Sequence, residues 1–301
     1  MSPTVTVGLD GSPESRAAAE WAAHEAKLRG LSLKVIHVWE PDPVPMAWAP
    51  LLGVETRQDW SERVPREAAE GIRARHPGIE VIVEQRSGQP AEVLSDAAPD
   101  AVLLALGSRG LSGMGGFIVG SVGLAVVART ERPVVLVRAE EQAADEHTMD
   151  PSGIPSASAP FLPVVLGLDT ASPDETLIAF AFEEARLRDT PLHVVHSWDL
   201  PPYIAYGLAA DLAASARLLD EEAAAVTEVL RPWRQNFATV KVTEDSRSGK
   251  APDYLVEASR HASLVVVGRR GRRSGLGTHI GPVTHAVLHH AAAPVAVVPH
   301  E

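Results

Sequence analysis

A domain-length pattern occurs twice along the 301-residue chain, and this repetition limits the architectures available to it. The run Val-Gly-Leu-Asp10 matches Leu-Gly-Leu-Asp169, and Val35-Ile-His-Val-Trp39 matches Val194-Val-His-Ser-Trp198, both at a spacing of 159 residues. Such a period has the length of a whole globular domain and exceeds that of solenoid repeats. The sequence therefore predicts two tandem domains of similar fold.

The stretch between the two copies has the composition of a linker. Residues 139–160 are acidic at first and then rich in Ser, Pro and Ala, with no apolar periodicity. We therefore predict a first domain over residues 1–139, a linker over 140–160 and a second domain over 161–301.

Short apolar runs alternate with helical patterns in each copy. In the first copy the predicted strands cover residues 4–9, 33–39, 79–84, 101–106 and 134–137. Because helices intervene, we predict an α/β fold with two tandem doubly wound, Rossmann-like parallel sheets of strand order 3-2-1-4-5. Ser12-Pro13-Glu14 and Ser172-Pro173-Asp174 each have the form of a helix start, with an N-cap, a proline and an acid.

A glycine-spaced loop follows the fourth predicted strand of each copy. The first copy has Gly107-Ser-Arg-Gly110, nine further residues and Gly120-Ser121, whereas the second has Gly268-Arg-Arg-Gly271, nine residues and Gly281-Pro282. Glycines accept positive φ and carry no Cβ, so backbone N–H groups can close around an anion. The following helix start also favours phosphate. The pattern predicts one intact phosphate site and one altered site.

A carboxylate ends the first strand of each copy. In the predicted strand order, Asp10 and Asp169 lie beside the glycine loops, where either carboxylate can accept a hydrogen bond from a ribose hydroxyl. Taken alone, Asp10 is equally well a turn or cap residue, and one glycine loop can be a surface connection. The occurrence of both features in both copies favours a nucleotide site.

Composition excludes several classes of partner and chemistry. The formal net charge of −12 and pI near 5.5 argue against a nucleic-acid surface, and no segment is apolar enough to span a membrane. Since Met1-Ser-Pro-Thr-Val also lacks the form of a signal peptide, we expect a cytoplasmic protein. The absence of cysteine excludes disulfides and thiolate chemistry.

At these residues the chain resembles the universal stress protein family in its tandem-domain, ATP-binding form. The match rests on V-G-L-D-G-S at residues 7–12, S-G-Q-P-A at 87–91 and the first glycine loop with the helix and P-V-V-L-V that follow it. The resemblance implies five-stranded domains that bind ATP, usually with a divalent cation such as Mg²⁺. It also implies pairing through the last strands, Val134–Val137 and Val295–Val298, with a homodimer of the chain left open.

The resemblance also assigns site residues by position. Asp10 would hold the ribose and the Val38 backbone the adenine, while the phosphate region would comprise Gly107, Arg109, Gly110, Gly120, Ser121 and Val122. The corresponding residues in the second copy are Asp169, Gly268, Gly271 and Gly281.

The second copy departs from this pattern at its phosphate loop. Pro282 replaces the Ser or Thr and removes both a hydroxyl and a backbone N–H, although proline suits a helix start. Ser197 also stands in place of Val38. The loop carries four arginines, Arg269, Arg270, Arg272 and Arg273. These can restore phosphate binding, recruit another anion, or form a solvated basic loop.

Three weaker patterns have structural interpretations. Ser248-Gly-Lys250 lacks the rest of a P-loop, and His285 with His289 lacks the flanking carboxylate of a zinc helix, so we assign no metal site. His37 and His196 lie inside strands and are expected to be packed or hydrogen-bonded core residues.

Three function classes remain open at this point. The favoured class is an ATP-binding regulatory stress-response protein with little or no turnover, because no catalytic group accompanies either loop. The alternatives are a slow ATPase or nucleotidyl-transfer enzyme, and an interaction scaffold that needs no nucleotide.

Overall fold

A computed structural model describes residues 3–39, 57–108, 120–139, 145–149, 159–199, 212–271 and 280–300. The chain divides into two compact units, Met1–Gln142 and Ala143–Glu301. Among the helices within these described ranges, none is both long and apolar enough to cross a membrane.

The first unit is a parallel five-stranded sheet with helices between its strands. Its strands are β1 (Thr4–Gly8), β2 (Ser32–Trp39), β3 (Val81–Ser87), β4 (Ala101–Ser108) and β5 (Val134–Arg138). Its helices are α1 (Pro13–Arg29), α2 (Arg57–Arg75), α3 (Pro90–Ala97) and α4 (Ser121–Arg129). The strands pair in the order β3-β2-β1-β4-β5, which confirms the predicted doubly wound fold.

The second unit repeats this plan. Its strands are β6 (Val164–Leu168), β7 (Leu192–Trp198), β8 (Val242–Ser248), β9 (Leu264–Arg270) and β10 (Val295–His300). Its helices are α5 (Glu175–Leu187), α6 (Leu212–Asn236), α7 (Ala251–Ala258) and α8 (Pro282–His290). All its strand pairs are parallel, in the order β8-β7-β6-β9-β10.

The central strand β1 and helix α1 form the core of the first unit. Every residue of β1 is buried, as expected for a parallel strand covered on both faces. Helix α1 packs on the sheet through a face of small residues, including Ala18, Ala22 and Ala26, all fully buried. Small side chains let the helix axis lie close to the strands.

A buried ion pair closes the last turn of the first helix in each unit. Glu25 pairs with Arg29 on α1 at 2.6 Å between Oε1 and Nε, and Glu184 on α5 pairs with Arg188, the residue that follows this helix. The side chains of the second pair are 0% and 1% exposed. The guanidinium of Arg188 also lies 5.7 Å from the centre of the Phe161 ring.

The two first helices begin differently. Ser12 caps α1 as predicted, because its side chain accepts a hydrogen bond from the Ser15 N–H at 3.1 Å. The corresponding prediction for Ser172 is wrong, since α5 begins at Glu175 and the Asp174 carboxylate accepts from the Leu177 N–H at 3.0 Å. The second copy has one more residue after its strand-end aspartate, and Asp174 is itself a strong N-cap.

The start of α1 lies directly against the end of β4. A Cβ atom added at Gly107 would lie 2.5 Å from the Glu14 carbonyl carbon and 2.7 Å from the Ser15 nitrogen. The described glycines with positive φ are Gly11, Gly30, Gly78, Gly88 and Gly249. Gly107 is not among them, and its lack of a side chain allows the close approach of a helix.

We expect Gly107→Ala to destabilise the first unit by about 1–3 kcal/mol, since two backbone segments must separate to admit the methyl group. Urea unfolding followed by circular dichroism measures the change. Gly71→Ala is the matched control, because its Cβ would meet only the exposed guanidinium of Arg75, at 3.1 Å, and no backbone atom. That change in a helix interior should stabilise by up to about 1 kcal/mol. Equal stability of Gly107→Ala and wild type would contradict the packing argument.

Candidate functional site

A cavity of about 440 Å³ opens at the carboxyl ends of β1 and β4 in the first unit. Six of the predicted site residues line it together: Asp10, Val38, Gly107, Gly120, Ser121 and Val122. Arg109 and Gly110 lie outside the described residues. The parallel pairing of β1 with β4 brings these groups together, as strand ends from distant parts of the sequence meet at one edge.

The Asp10 carboxylate is held in place by the turn that leads into α1. Its Oδ1 accepts hydrogen bonds from the Ser12 N–H at 3.0 Å and the Ser12 hydroxyl at 2.5 Å. Gly11, with φ of 82°, provides the left-handed residue of this turn. The carboxylate is therefore oriented at the cavity before any ligand arrives.

The opposite wall of the cavity is the start of helix α4. Gly120 is the N-cap residue, and its φ of −61° and ψ of 152° are ordinary extended values. No side chain of the described residues caps this end, so its first backbone N–H groups can donate to a ligand. Together with the helix dipole, these donors favour an anion at Gly120 and Ser121.

The carbonyl that precedes each strand-end aspartate is held by a core histidine. His37 Nδ1 lies 2.7 Å from the Leu9 carbonyl oxygen, and His196 Nδ1 lies 3.0 Å from the Leu168 oxygen. Both rings are almost fully buried, as predicted for hydrogen-bonded core residues. They fix the chain one residue before Asp10 and Asp169.

The second unit has a larger cavity, of about 560 Å³, at the same edge of its sheet. Asp169, Gly268 and Gly281 line it together, with Ser197 and Pro282 in the places of Val38 and Ser121. Gly271 lies at the end of β9, where its N–H donates to the His300 carbonyl at 2.7 Å.

The two described arginines of the second loop, Arg269 and Arg270, lie in different surroundings. The Arg270 Nη2 atom lies 2.7 Å from Asp169 Oδ2, so the two side chains form an ion pair at the cavity. Arg269 is only 4% exposed and is not part of the lining, because successive side chains of a strand point to opposite faces. The interpretations that place Arg269 on a phosphate or in a solvated loop are therefore wrong. Arg272 and Arg273 lie outside the described residues.

Several residues that sequence reasoning did not assign to a site also line the two cavities. Glu14 faces the first cavity, while Asp174, Thr284 and His300 face the second. A signal for His300 was present in the sequence, because the spacing of 161 residues that aligns the last strands places it opposite Ala139. The same spacing places Thr284 opposite Gly123, and the Thr284 hydroxyl donates to the Gly268 carbonyl oxygen at 2.7 Å.

The paired histidines of α8 do not form a recognisable metal centre. The rings of His285 and His289 are 4.4 Å apart between centroids. No group of three or more His, Cys, Asp or Glu side chains suited to a metal ion occurs within the described part of the chain.

Comparison with known proteins places this fold and site in one family. The Universal stress protein family matches residues 1–138 and 160–299. A universal stress protein of Mycolicibacterium smegmatis is 30% identical over 305 residues, covering 98% of this chain and 96% of its own. Universal stress protein Rv2005c of Mycobacterium tuberculosis is 32% identical over 301 residues, covering 97% and 96% of the two chains.

A solved structure shares the whole architecture. The crystal structure of a universal stress protein from Archaeoglobus fulgidus superposes with a TM-score of 0.69 at 19% identity, over 99% of this chain and 98% of its own. The fold is therefore shared across the full length. With the family match to both halves, the chain belongs to the universal stress protein family and carries two tandem domains of it.

Proposed function

We propose that the first unit binds ATP and that the protein is a regulatory stress-response protein with little or no turnover. The observation that carries the proposal is the convergence of three features on one cavity. These features are the oriented Asp10 carboxylate, the close-packed glycine end of β4, and the uncapped start of α4 at Gly120.

The cavity matches the parts of a nucleotide in order. Asp10 can accept a hydrogen bond from a ribose hydroxyl. Its existing bonds to Ser12 hold the carboxylate in place at the cavity. Ile36, Val38 and Leu94 give an apolar wall suited to the adenine ring. Gly120 and Ser121 then present N–H donors to the phosphates.

A Mg²⁺ ion fits this arrangement as part of the nucleotide. Proteins usually hold Mg²⁺ through one or two carboxylates together with substrate phosphates and water. Asp10 and Glu14 are the carboxylates that line this cavity among the described residues. When bound, the ion would neutralise phosphate charge beside these two acids.

The second cavity should bind ATP more weakly than the first. Pro282 lacks the N–H and hydroxyl that Ser121 offers at the first helix position. Arg270 can oppose this loss, but it is paired with Asp169, the residue that corresponds to the ribose-binding carboxylate. A ligand must therefore compete with an existing ion pair.

We expect Gly120→Val to lower ATP affinity in the first cavity at least tenfold, about 1.4 kcal/mol, because a branched side chain would stand where phosphate approaches the backbone. The backbone angles of Gly120 suit valine, so the fold should persist. Calorimetric titration of the full chain measures the change. Gly281→Val is the matched control in the second unit and should leave the tighter binding event unchanged. Unaltered affinity in a folded Gly120→Val protein would remove the assignment.

Pro282→Ser should strengthen ATP binding in the second cavity at least tenfold, measured by titration in the Gly120→Val background. Each regained hydrogen bond to a charged group contributes about 1.5–3 kcal/mol. The reciprocal change, Ser121→Pro in the otherwise wild-type chain, should weaken the first cavity. If Pro282→Ser changes nothing, Arg270 already supplies the phosphate contacts and the argument from lost donors is wrong.

ATP turnover should be slower than roughly 1 per second, below the usual enzyme range, because the first cavity offers phosphate donors without an evident group that positions water. Phosphate release from the full chain under single-turnover conditions tests this rate. Glu14 is the side chain to vary, since it is the second carboxylate of the cavity. Faster hydrolysis that is lost in Glu14→Gln would establish the ATPase alternative.

A further inference from the structure

We propose that His300 makes the affinity of the second cavity for a phosphate-bearing ligand depend on protonation. The first cavity has no counterpart of this residue. The inference rests on the proposed nucleotide-binding function and adds a regulatory property to the second site alone.

His300 lies where a phosphate-bearing ligand would meet the glycine loop. It is the last residue of β10, its side chain is 8% exposed, and it lines the cavity beside Gly268 and Thr284. A Cβ atom added at Gly268 would lie 2.5 Å from His300 Nε2 and 2.7 Å from Cδ2. The imidazole therefore lies directly on the Gly268 backbone.

The same space is filled differently in the first unit. There the backbone of Glu14 and Ser15 lies against Gly107, and Ala139 stands at the position of His300. In the second unit α5 starts only at Glu175, and an imidazole takes the place of helix backbone against the glycine. The second unit thus combines a later helix start with a titratable side chain in the wall of its cavity.

Two hydroxyl donors of the second cavity are already in use. The Thr284 hydroxyl donates to the Gly268 carbonyl at 2.7 Å, and the Ser197 hydroxyl donates to the Gly249 carbonyl. Pro282 has no N–H to offer. Among the described lining residues, an anion at this cavity therefore has the side chains of Arg270 and His300 as its cationic partners, beside the backbone N–H groups at the uncapped start of α8.

The charge of the cavity then depends on His300. The other charged residues of the described lining are Asp169, Asp174 and Arg270. Asp169 is paired with Arg270, and Asp174 Oδ2 lies 3.9 Å from His300 Nδ1. With His300 protonated the four charges cancel, whereas with a neutral imidazole one negative charge remains and repels phosphate.

The direction of the pH effect follows from this balance. Histidine changes charge between pH 5 and 8, and an anionic ligand favours its protonated form. Binding in the second cavity should therefore tighten as the pH falls, and at neutral pH the bound state should take up protons. The first cavity should show neither effect beyond that of the titrating nucleotide.

The test compares ATP binding to the full chain carrying Gly120→Val with the same chain carrying Gly120→Val and His300→Gln. Calorimetry at pH 6 and pH 8, with equal Mg²⁺ and ionic strength, gives the affinities. The protonation of ATP itself affects both proteins equally and cancels in the comparison. We expect the affinity of the His300 protein to rise about tenfold more on acidification than that of the glutamine variant, from the removal of one unit charge near the phosphate.

Two further measurements keep the result independent of folding effects. Titrations of the wild-type chain in two buffers of different ionisation enthalpy report proton uptake directly, and uptake should accompany only the weaker of two binding events. His290→Gln removes an exposed histidine from the end of α8, outside the cavity lining, and should leave the pH dependence unchanged.

Equal pH dependence with and without His300 would overturn the inference. The absence of ATP binding in the second cavity at both pH values would also overturn the inference. In that case, binding that persisted in the first cavity would leave the proposed function standing. If neither cavity of the wild-type chain binds ATP, the proposed function fails together with the inference.

Discussion

The parallel pairing of β1 with β4, and of β6 with β9 in the second unit, is the contact on which the rest of each unit depends. Val5 lies opposite Leu103 in the first unit, and Val164 lies opposite Leu264 in the second. Strands so distant in sequence become neighbours only because the chain crosses over the sheet by way of helices. Their carboxyl ends then meet at one edge, where the aspartate of one strand faces the glycine of the other.

A second constraint acts at this edge, because a helix start must fit against the glycine that ends β4. In the first unit the fit is made by backbone alone, and the oriented turn through Ser12 joins the helix to the Asp10 carboxylate. In the second unit an additional residue moves the helix start, and the His300 ring packs on Gly268 instead. The two cavity walls thus differ both in the position of the helix start and in the residue at the end of the last strand.

Local sequence patterns predicted the structural features that depend on interactions between residues close together in the sequence. The Ser12 cap, the buried strands and the core histidines follow from short-range patterns, and the repeat supplied the common strand order. The start of α5 was not predicted correctly, because Ser172 and Asp174 are both capping residues and lie two positions apart. In the structure Asp174 is the N-cap. The burial of Arg269 depends on which face of β9 is turned toward the cavity. Strand register sets that orientation, and composition does not reveal it.

Long-range contacts also explain why the cavities were only partly anticipated. Asp10 and Gly107 belong to a recognisable pattern, whereas His300 reaches Gly268 from the far end of the domain. The role of Gly107 was likewise not predictable from the sequence. Residue type alone does not distinguish a glycine that lets a helix pack closely from one that lets a phosphate approach the backbone.

The buried glutamate–arginine pairs at the last turn of α1 and α5 bear on how the two halves could diverge. Replacing one member leaves a buried charge without its partner, at a cost of about 3–5 kcal/mol, so both must change together. These pairs lie toward the amino ends of the strands, opposite the cavities, because each helix runs antiparallel to its sheet. Single substitutions within these pairs are therefore strongly opposed at this edge of each duplicated domain. After duplication, the two pockets could acquire different ligands while the opposite edge kept the same chemistry in both copies.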